Sequence, residues 1–301
     1  MKSTNISRKK QFQLFKIEDF EEIRNDFCYR GDIFKLKNKK DDKIYASKIF
    51  TSQDIFMEFI SKSNISQIDY PTIMKYYGII PYGSSYGIIM ENLPSCIKKY
   101  IEHSYNGFID EEWNLTNKFI IILGISLGME YLHSNKVIHL NLKPSNIRLD
   151  SNFYPKITDI GSSQFELDLN PYKFVGTPLF MAPEVFIDNK YDGKKADVYS
   201  FGMILYSIIY DEIPFNDYNT TPFAIMKKFM EGERPELMDD IEFKSLNNLI
   251  RKCWDQNPYK RLNFYEITNI LMEEKSKLIQ SGTIDEKKIN EFLEYCNDNK
   301  I

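Results

Sequence analysis

Asn92-Leu93-Pro94 divides the sequence into two textures, and this division restricts the fold more than any other feature. Before it, apolar residues come in short runs broken by turn-forming clusters. Residues 33–37 and 43–50 flank the charged stretch Asn38-Lys39-Lys40-Asp41-Asp42, which predicts a hairpin with a longer loop. Ile55, Phe56, Phe59, Ile60 and Ile65 recur at roughly helical spacing, so one helix is expected over 53–65. Tyr70-Pro71 ends it, because a residue before proline is pushed out of the helical region; 73–80 and 86–90 then read as strands. After the division the apolar pattern predicts helices over 114–133, 196–210, 222–230, 243–254 and 265–279. Two short strands, 147–149 and 156–158, flank the turn Asp150-Ser151-Asn152, and a polar stretch at 280–283 precedes a last amphipathic helix over 284–296. The expectation is an α+β chain with a small β-rich lobe carrying one main helix, followed by a larger helical lobe.

Composition narrows the function classes. A chain of 301 residues with 43% hydrophobic and 27% charged side chains has the means to bury two cores, which excludes wholesale disorder or a collagen-like fibre. Lys and Arg number 39 against 43 Asp and Glu, a net charge of -4 that argues against a nucleic-acid partner. Cys28, Cys96, Cys253 and Cys296 form no C-x-x-C pair, and His103, His133 and His139 share no ligand spacing, so neither a disulfide framework nor a histidine metal centre is expected. Residues 1–11 are polar. The greasiest stretch, 119–129, is about half of the ~20 residues a membrane span needs. A cytoplasmic protein with no membrane association is the expectation.

Six short motifs follow one another in the chain: Tyr45-Ala46-Ser47-Lys48, His139-Leu140-Asn141-Leu142-Lys143-Pro144-Ser145-Asn146, Asp159-Ile160-Gly161, Met181-Ala182-Pro183-Glu184, Asp197-Val198-Tyr199-Ser200-Phe201-Gly202, and Cys253-Trp254 with Asn257-Pro258 and Arg261. Each alone is bland. A lone lysine on a strand is usually a surface residue, and a lone Asp-x-Gly is usually a turn. In this order and at these spacings they resemble the eukaryotic protein kinases of the serine/threonine or tyrosine-kinase-like type, over about residues 20–272. The resemblance implies a bilobal protein-kinase fold with an N-terminal extension (1–19), an N-lobe (20–93), a C-lobe (94–279) and a tail with a short helix (280–301).

It also implies a site. Phosphoryl transfer needs positioning and charge neutralisation rather than covalent help. Lys48 would hold the α- and β-phosphates of ATP, and Asn146 and Asp159 would ligate Mg2+. Gly31, Ile33, Ala46, the gatekeeper Met90 and the hinge residues Glu91 and Leu93 would line the nucleotide site. Lys143 and Thr177 carry the serine/threonine signature. Glu184 and Arg261 would form a buried structural ion pair, and Asp197 would begin a buried central helix. Ser162, Ser163 and Thr177 are candidate phosphosites.

Five departures weaken the chemistry. Asn141 replaces the catalytic aspartate, and an amide cannot take up the substrate proton; loss of a general base costs roughly 10²–10⁴ in rate. Leu140 replaces the arginine that would meet a phosphorylated activation loop. Of the three glycine-rich-loop positions, Asp26, Cys28 and Gly31, only the last is glycine. Ser61 stands where the helix glutamate should pair with Lys48, with Glu58 one turn earlier, so Lys48 is expected to pair with Glu58 or Asp159. Arg148 takes the place of an apolar residue under the adenine ring. These changes predict a pseudokinase that binds ATP and Mg2+ weakly or not at all. It would act on other proteins through the groove, the helix face around Ser61, or residues 222–230. The alternatives are a low-activity ATP-dependent serine/threonine kinase and a non-catalytic nucleotide sensor.

Overall fold

The computed structural model describes residues 12–23, 33–63, 68–93, 95–160, 178–187, 191–215, 221–239 and 243–299. Two compact units result, Met1–Asp69 with Met74–Leu93, and Tyr70–Ile73 with Pro94–Ile301.

The first unit is a six-stranded sheet in the order β1-β5-β6-β4-β3-β2, with one helix. Its strands are β1 (Gln13–Leu14), β2 (Phe20–Ile23), β3 (Ile33–Asn38), β4 (Ile44–Ile49), β5 (Tyr76–Tyr82) and β6 (Ser85–Glu91); α1 spans Gln53–Ser63. The hairpin expected around Lys39 and Lys40 is β3–β4, paired antiparallel from Ile33–Lys48 to Lys37–Ile44. Lys37 meets Asp42 at 2.7 Å across its loop. Phe20, Leu36, Tyr45, Ile80 and Ile89 form a buried cluster, with Phe15 and Tyr77 against it. The two-residue β1 and four-residue β2 are too short to show an alternation, and β1 pairs parallel to β5. Gly78 permits that pairing: a Cβ there would lie 2.0 Å from the Gln13 carbonyl oxygen. The strand expected over 73–80 begins only at Tyr76. Ile73 is drawn into the second unit by a backbone bridge to Ile157.

The second unit is helical: α2 (Ile97–Tyr105), α3 (Leu115–Ser134), α4 (Gly193–Tyr210), α5 (Pro222–Met230), α6 (Asn247–Cys253), α7 (Phe264–Gln280) and α8 (Glu286–Asp298). A three-stranded sheet, β7 (Ser95–Cys96), β8 (Ile147–Leu149) and β9 (Pro155–Ile157), completes it. Helix α3 starts where the Asn114 side chain accepts from the Asn117 N–H at 3.0 Å. By length and composition it could cross a membrane, so the apolar stretch is longer than 119–129; yet 72% of its most apolar 18-residue window is buried inside the protein. A helix apolar all round is what a lobe needs at its centre. The helix expected over 243–254 is shorter, a 3₁₀ turn at Lys244–Leu246 leading into α6. Helix α2 and strand β7 follow directly on the Pro94 boundary without a distinct signal of their own.

Candidate functional site

In the second unit the chemistry is built on a loop between α3 and β8. Asp197, in the first turns of α4, is fully buried. Its Oδ1 accepts from the Leu140 N–H at 2.7 Å, and its Oδ2 from the His139 N–H at 2.8 Å. His133 Nε2, on α3, lies 2.9 Å from the same Oδ2. One carboxylate therefore fixes two consecutive loop amides. That matters at Leu140, whose φ of 58° lies in the left-handed region. A leucine there costs roughly 1–2 kcal/mol, so the loop holds this shape only because its amide is bound.

His139 carries the constraint onward. The Asn141 N–H donates to its Nδ1 at 3.2 Å. The other ring nitrogen, Nε2, is 2.8 Å from the Thr158 carbonyl, which can only accept. The ring is thus held as the neutral Nε2–H tautomer. Burial pushes its pKa below the ordinary histidine value, against the pull of the Asp197 carboxylate.

Asn146 closes the loop. Its Nδ2 donates to the Asn141 carbonyl at 2.8 Å, its own N–H donates to the Lys143 carbonyl at 2.9 Å, and its carbonyl accepts from the Thr158 N–H at 2.9 Å. With the amide nitrogen committed, its Oδ1 is the atom suited to a metal. Asp159 follows Thr158 with φ 60°, a conformation aspartate tolerates better than most residues. An amide oxygen and a carboxylate are hard oxygen donors, the set Mg2+ takes alongside phosphate oxygens. Lys143 precedes the 3₁₀ turn Pro144–Asn146 and is half-buried.

Arg148 is the central residue of β8, paired across the small sheet with Cys96 and Lys156. Ile147 and Leu149 are buried, so alternation places Arg148 on the opposite sheet face, where it is half-buried. The strand covers the residues 147–149 expected from the sequence.

Glu184 and Arg261 form the expected ion pair. Arg261 Nη1 and Nη2 reach Glu184 Oε1 and Oε2 at 2.6 and 2.9 Å, and the Arg261 side chain is fully buried. Arg261 also donates to the carbonyls of Asp255 and Lys195, and its guanidinium lies 5.0 Å from the Tyr199 ring. Every strong donor on that side has an acceptor, which is what makes a buried guanidinium tolerable.

The first unit carries the remaining candidate residues. Lys48 and Ala46 alternate on β4, opposite Ile88 and Met90 of β6. Ala46, Met74, Met90 and Leu93 form a buried apolar cluster, with Ile33 and Tyr76 packed against it. Glu91 fixes the end of β6, since its N–H donates to the Lys75 carbonyl at 2.9 Å and its Oε2 accepts from the Lys75 N–H at 3.3 Å.

Several expected residues, Gly31, Asp26, Cys28, Gly161, Ser162, Ser163 and Thr177, lie outside the described residues, as do the side chains of Ser61 and Glu58. The expected pairing of Lys48 with Glu58 therefore also lies outside the described residues. Sequence reasoning missed the roles of His133, Thr158 and the ring of His139 in bracing the loop. Their bonds join α3, the loop and the residue after β9, and no local pattern announces such a tie.

A sheet unit carrying an alanine and a lysine on one strand, followed by a helical unit whose buried aspartate braces an Asn-bearing loop, defines the protein-kinase fold. A family model described as protein kinase domain matches residues 29–272, and the chain belongs to the protein kinase family. It is 32% identical over 257 residues to the dual specificity protein kinase shkD of Dictyostelium discoideum, a match covering 82% of this chain and 34% of that protein. It is 31% identical over 279 residues to the serine/threonine/tyrosine-protein kinase HT1 of Arabidopsis thaliana, covering 90% of this chain and 68% of that one. The ankyrin repeat and protein kinase domain-containing protein 1 of Mus musculus is 31% identical over 279 residues, 84% of this chain and 36% of that protein. The chain thus spans about a third of the shkD relative.

Proposed function

We propose that this kinase-fold signalling protein works as a pseudokinase, a cytoplasmic protein-binding or allosteric module rather than a phosphotransferase. The observation that carries the reading is Asn141. The bonds of the loop at this position run through its backbone N–H and carbonyl, so the family's loop shape survives while the group that would accept the substrate proton is gone. Leu140 removes the cation that would answer a phosphorylated activation loop. The partner is another protein, not a nucleic acid or a membrane.

If nucleotide binds, Lys48 would neutralise the phosphates, Asn146 Oδ1 and the Asp159 carboxylate would hold Mg2+, and the bound metal would offset charge on the phosphates. Ala46, Met90 and Leu93 would supply the apolar contact. Against this, Arg148 puts a guanidinium where the family has an apolar side chain, and Asp26 and Cys28 stand at glycine positions. We infer weak or absent ATP binding. Calorimetry with Mg-ATP tests it: Arg148→Leu should strengthen binding, and tight binding by the unaltered chain refutes it.

The retention of Lys48, Asn146 and Asp159 favours a second reading, a low-activity serine/threonine kinase using Lys143 beside the acceptor hydroxyl. Transfer of radiolabelled phosphate from ATP to a generic protein substrate separates the two, with Lys48→Met as background. Transfer at the background level supports the pseudokinase. Robust transfer abolished by Lys48→Met establishes the kinase.

A further inference from the structure

Helix α8 lies beyond residues 29–272, where the kinase family model matches, yet it is built into the helical unit at both ends. At its start the Asp285 N–H donates to Thr116 Oγ1 at 3.0 Å, on the first turn of α3. Along its length Ile289, Phe292 and Cys296 are buried. Gly124 of α3 marks how close the packing is: a Cβ there would lie 2.4 Å from Pro155 Cγ and 3.0 Å from Phe292 Cζ. Tyr154 packs edge-on against Phe292 at 5.0 Å and lies 5.1 Å from Tyr295.

The far end of α8 reaches a different part of the chain. Lys156 on β9 is a buried lysine, and its Nζ donates to Tyr295 Oη at 2.8 Å and to the Pro71 carbonyl at 2.6 Å. The ammonium lies 5.4 Å from the centre of the Tyr295 ring. Pro71 belongs to Tyr70–Ile73, which among the described residues N-terminal to Pro94 is the stretch that joins the helical unit. This stretch lies between α1 and β5 in the chain. Its other ties are the Ile157 N–H to the Thr72 carbonyl at 2.8 Å, the bridge of Ile73 to Ile157, and the stack of Tyr70 on Tyr131 at 4.7 Å.

We propose that α8 is a latch: through Tyr295 and Lys156 it holds Tyr70–Ile73 on the helical unit, and its release lets that segment open. The physical reason is the buried ammonium. An ammonium out of water is stable only while its donors are satisfied, and Tyr295 both accepts from it and covers it with an aromatic face. With the phenol oxygen gone, Lys156 draws toward water or toward Asp150, whose carboxylate is 4.0 Å away, and the Pro71 carbonyl loses its charged donor. The latch works on the chain just before β5, so release of a C-terminal helix is felt where the chain returns to the sheet unit at Met74. It does not depend on whether the protein transfers phosphate.

Hydrogen exchange of the full chain tests this, read at the peptide covering residues 70–75, where the Ile73 N–H donates to the Tyr70 carbonyl at 3.0 Å. Loss of a charge-assisted hydrogen bond should speed exchange there about tenfold in Lys156→Met, and about threefold in Tyr295→Phe, which keeps the ring. The Tyr295 hydroxyl also donates to the Pro71 carbonyl, but at 3.5 Å. The tyrosine thus acts mainly through the lysine, and adding Tyr295→Phe to Lys156→Met should change exchange little further. Unchanged exchange at 70–75 in both variants, with α8 loosened alone, would overturn the latch. So would equal acceleration in α4, or full multiplication of the two effects in the double variant. If Lys156→Met does not fold, Tyr295→Phe decides.

Discussion

Asp197 and Asn141 brace and form the same loop, and they have had opposite histories. At 197 the chain keeps the buried carboxylate, with two backbone amides and a histidine on its two oxygens. At 141 it keeps only the backbone of the family's residue and changes the side chain. The same contrast separates the Glu184–Arg261 pair, intact in every bond, from Leu140 and Arg148, which replace the residues the family resemblance leads one to expect. Buried ties are retained because their loss exposes unpaired charge inside a packed lobe, whereas a side chain that would meet substrate can change without a stability cost. A chain that had lost selection altogether would lose both kinds.

The largest expected effect tests the retained side. Asp197→Ala strands two backbone donors in a buried site and releases Leu140 from its left-handed conformation. Stability should fall by about 3 kcal/mol or more, given roughly 1–3 kcal/mol per orphaned buried group. Arg261→Leu, which leaves Glu184 without its partner, should cost about 3–5 kcal/mol. Urea denaturation measures both. A loss under about 1 kcal/mol for either, below the usual penalty for an orphaned buried polar group, would erase the contrast.

Gly124→Ala sets two known magnitudes against each other. Alanine gains about 1 kcal/mol over glycine within a helix. The new Cβ meets Pro155 Cγ at 2.4 Å, and overpacking of this kind costs about 1–3 kcal/mol. The proline ring is tied into β9 and cannot swing aside as a flexible tip would, so the clash should win. Thermal unfolding should show a net loss of about 1 kcal/mol. A gain would mean that α8 and β9 yield readily and are not part of the retained scaffold.

The division of the fold between strands and helices was legible because periodicity and the Pro94 break are local. Helices 222–230 and 265–279 stand within a residue of α5 and α7 for the same reason. What the sequence hid is non-local. Strand β1 depends on Gly78 accepting a neighbour more than sixty residues away in the chain, and a two-residue strand has no pattern to read. The placement of Ile73 in the helical unit depends on Ile157. In the site, the residues within motifs were found, but the partners that hold them, His133 and Thr158, carry no spacing signal. Lys156 reads as an ordinary strand lysine until Tyr295 and Pro71 are seen against it.

A pH effect sharpens the comparison further. His139 is buried neutral, with its pKa pushed below the ordinary value near 6.5. In the unfolded chain it would take up a proton below that value, and in the folded chain only at lower pH. Its contribution is therefore fully present above about pH 6.5 and is lost as pH falls through that value toward the folded pKa. Urea midpoints should decline between pH 7 and 5, and His139→Gln should flatten that part of the curve while lowering stability at pH 7. An equal decline in the variant would assign the acid sensitivity to other groups.

The smallest effect on stability is expected at Asn141, where the comparison is sharpest. Asn141→Asp keeps size and shape, and the loop's bonds at this position, from the N–H to His139 and from Asn146 to the carbonyl, are backbone bonds. Stability should change by no more than about 0.5 kcal/mol, as for surface substitutions away from structural ties. Phosphoryl transfer should also stay at background, although the base has been returned. Catalytic groups act as a unit, so restoring one of several altered members recovers little. A variant that joins Asn141→Asp to Ser61→Glu, Asp26→Gly, Cys28→Gly and Arg148→Leu should do better, because it restores the helix glutamate, the phosphate cover and the apolar adenine surface together. If Asn141→Asp alone turns on transfer, and Lys48→Met abolishes it again, the departures at Arg148, Asp26, Cys28 and Ser61 are tolerated substitutions. The functional half of the molecule would then be one atom type away from an active kinase.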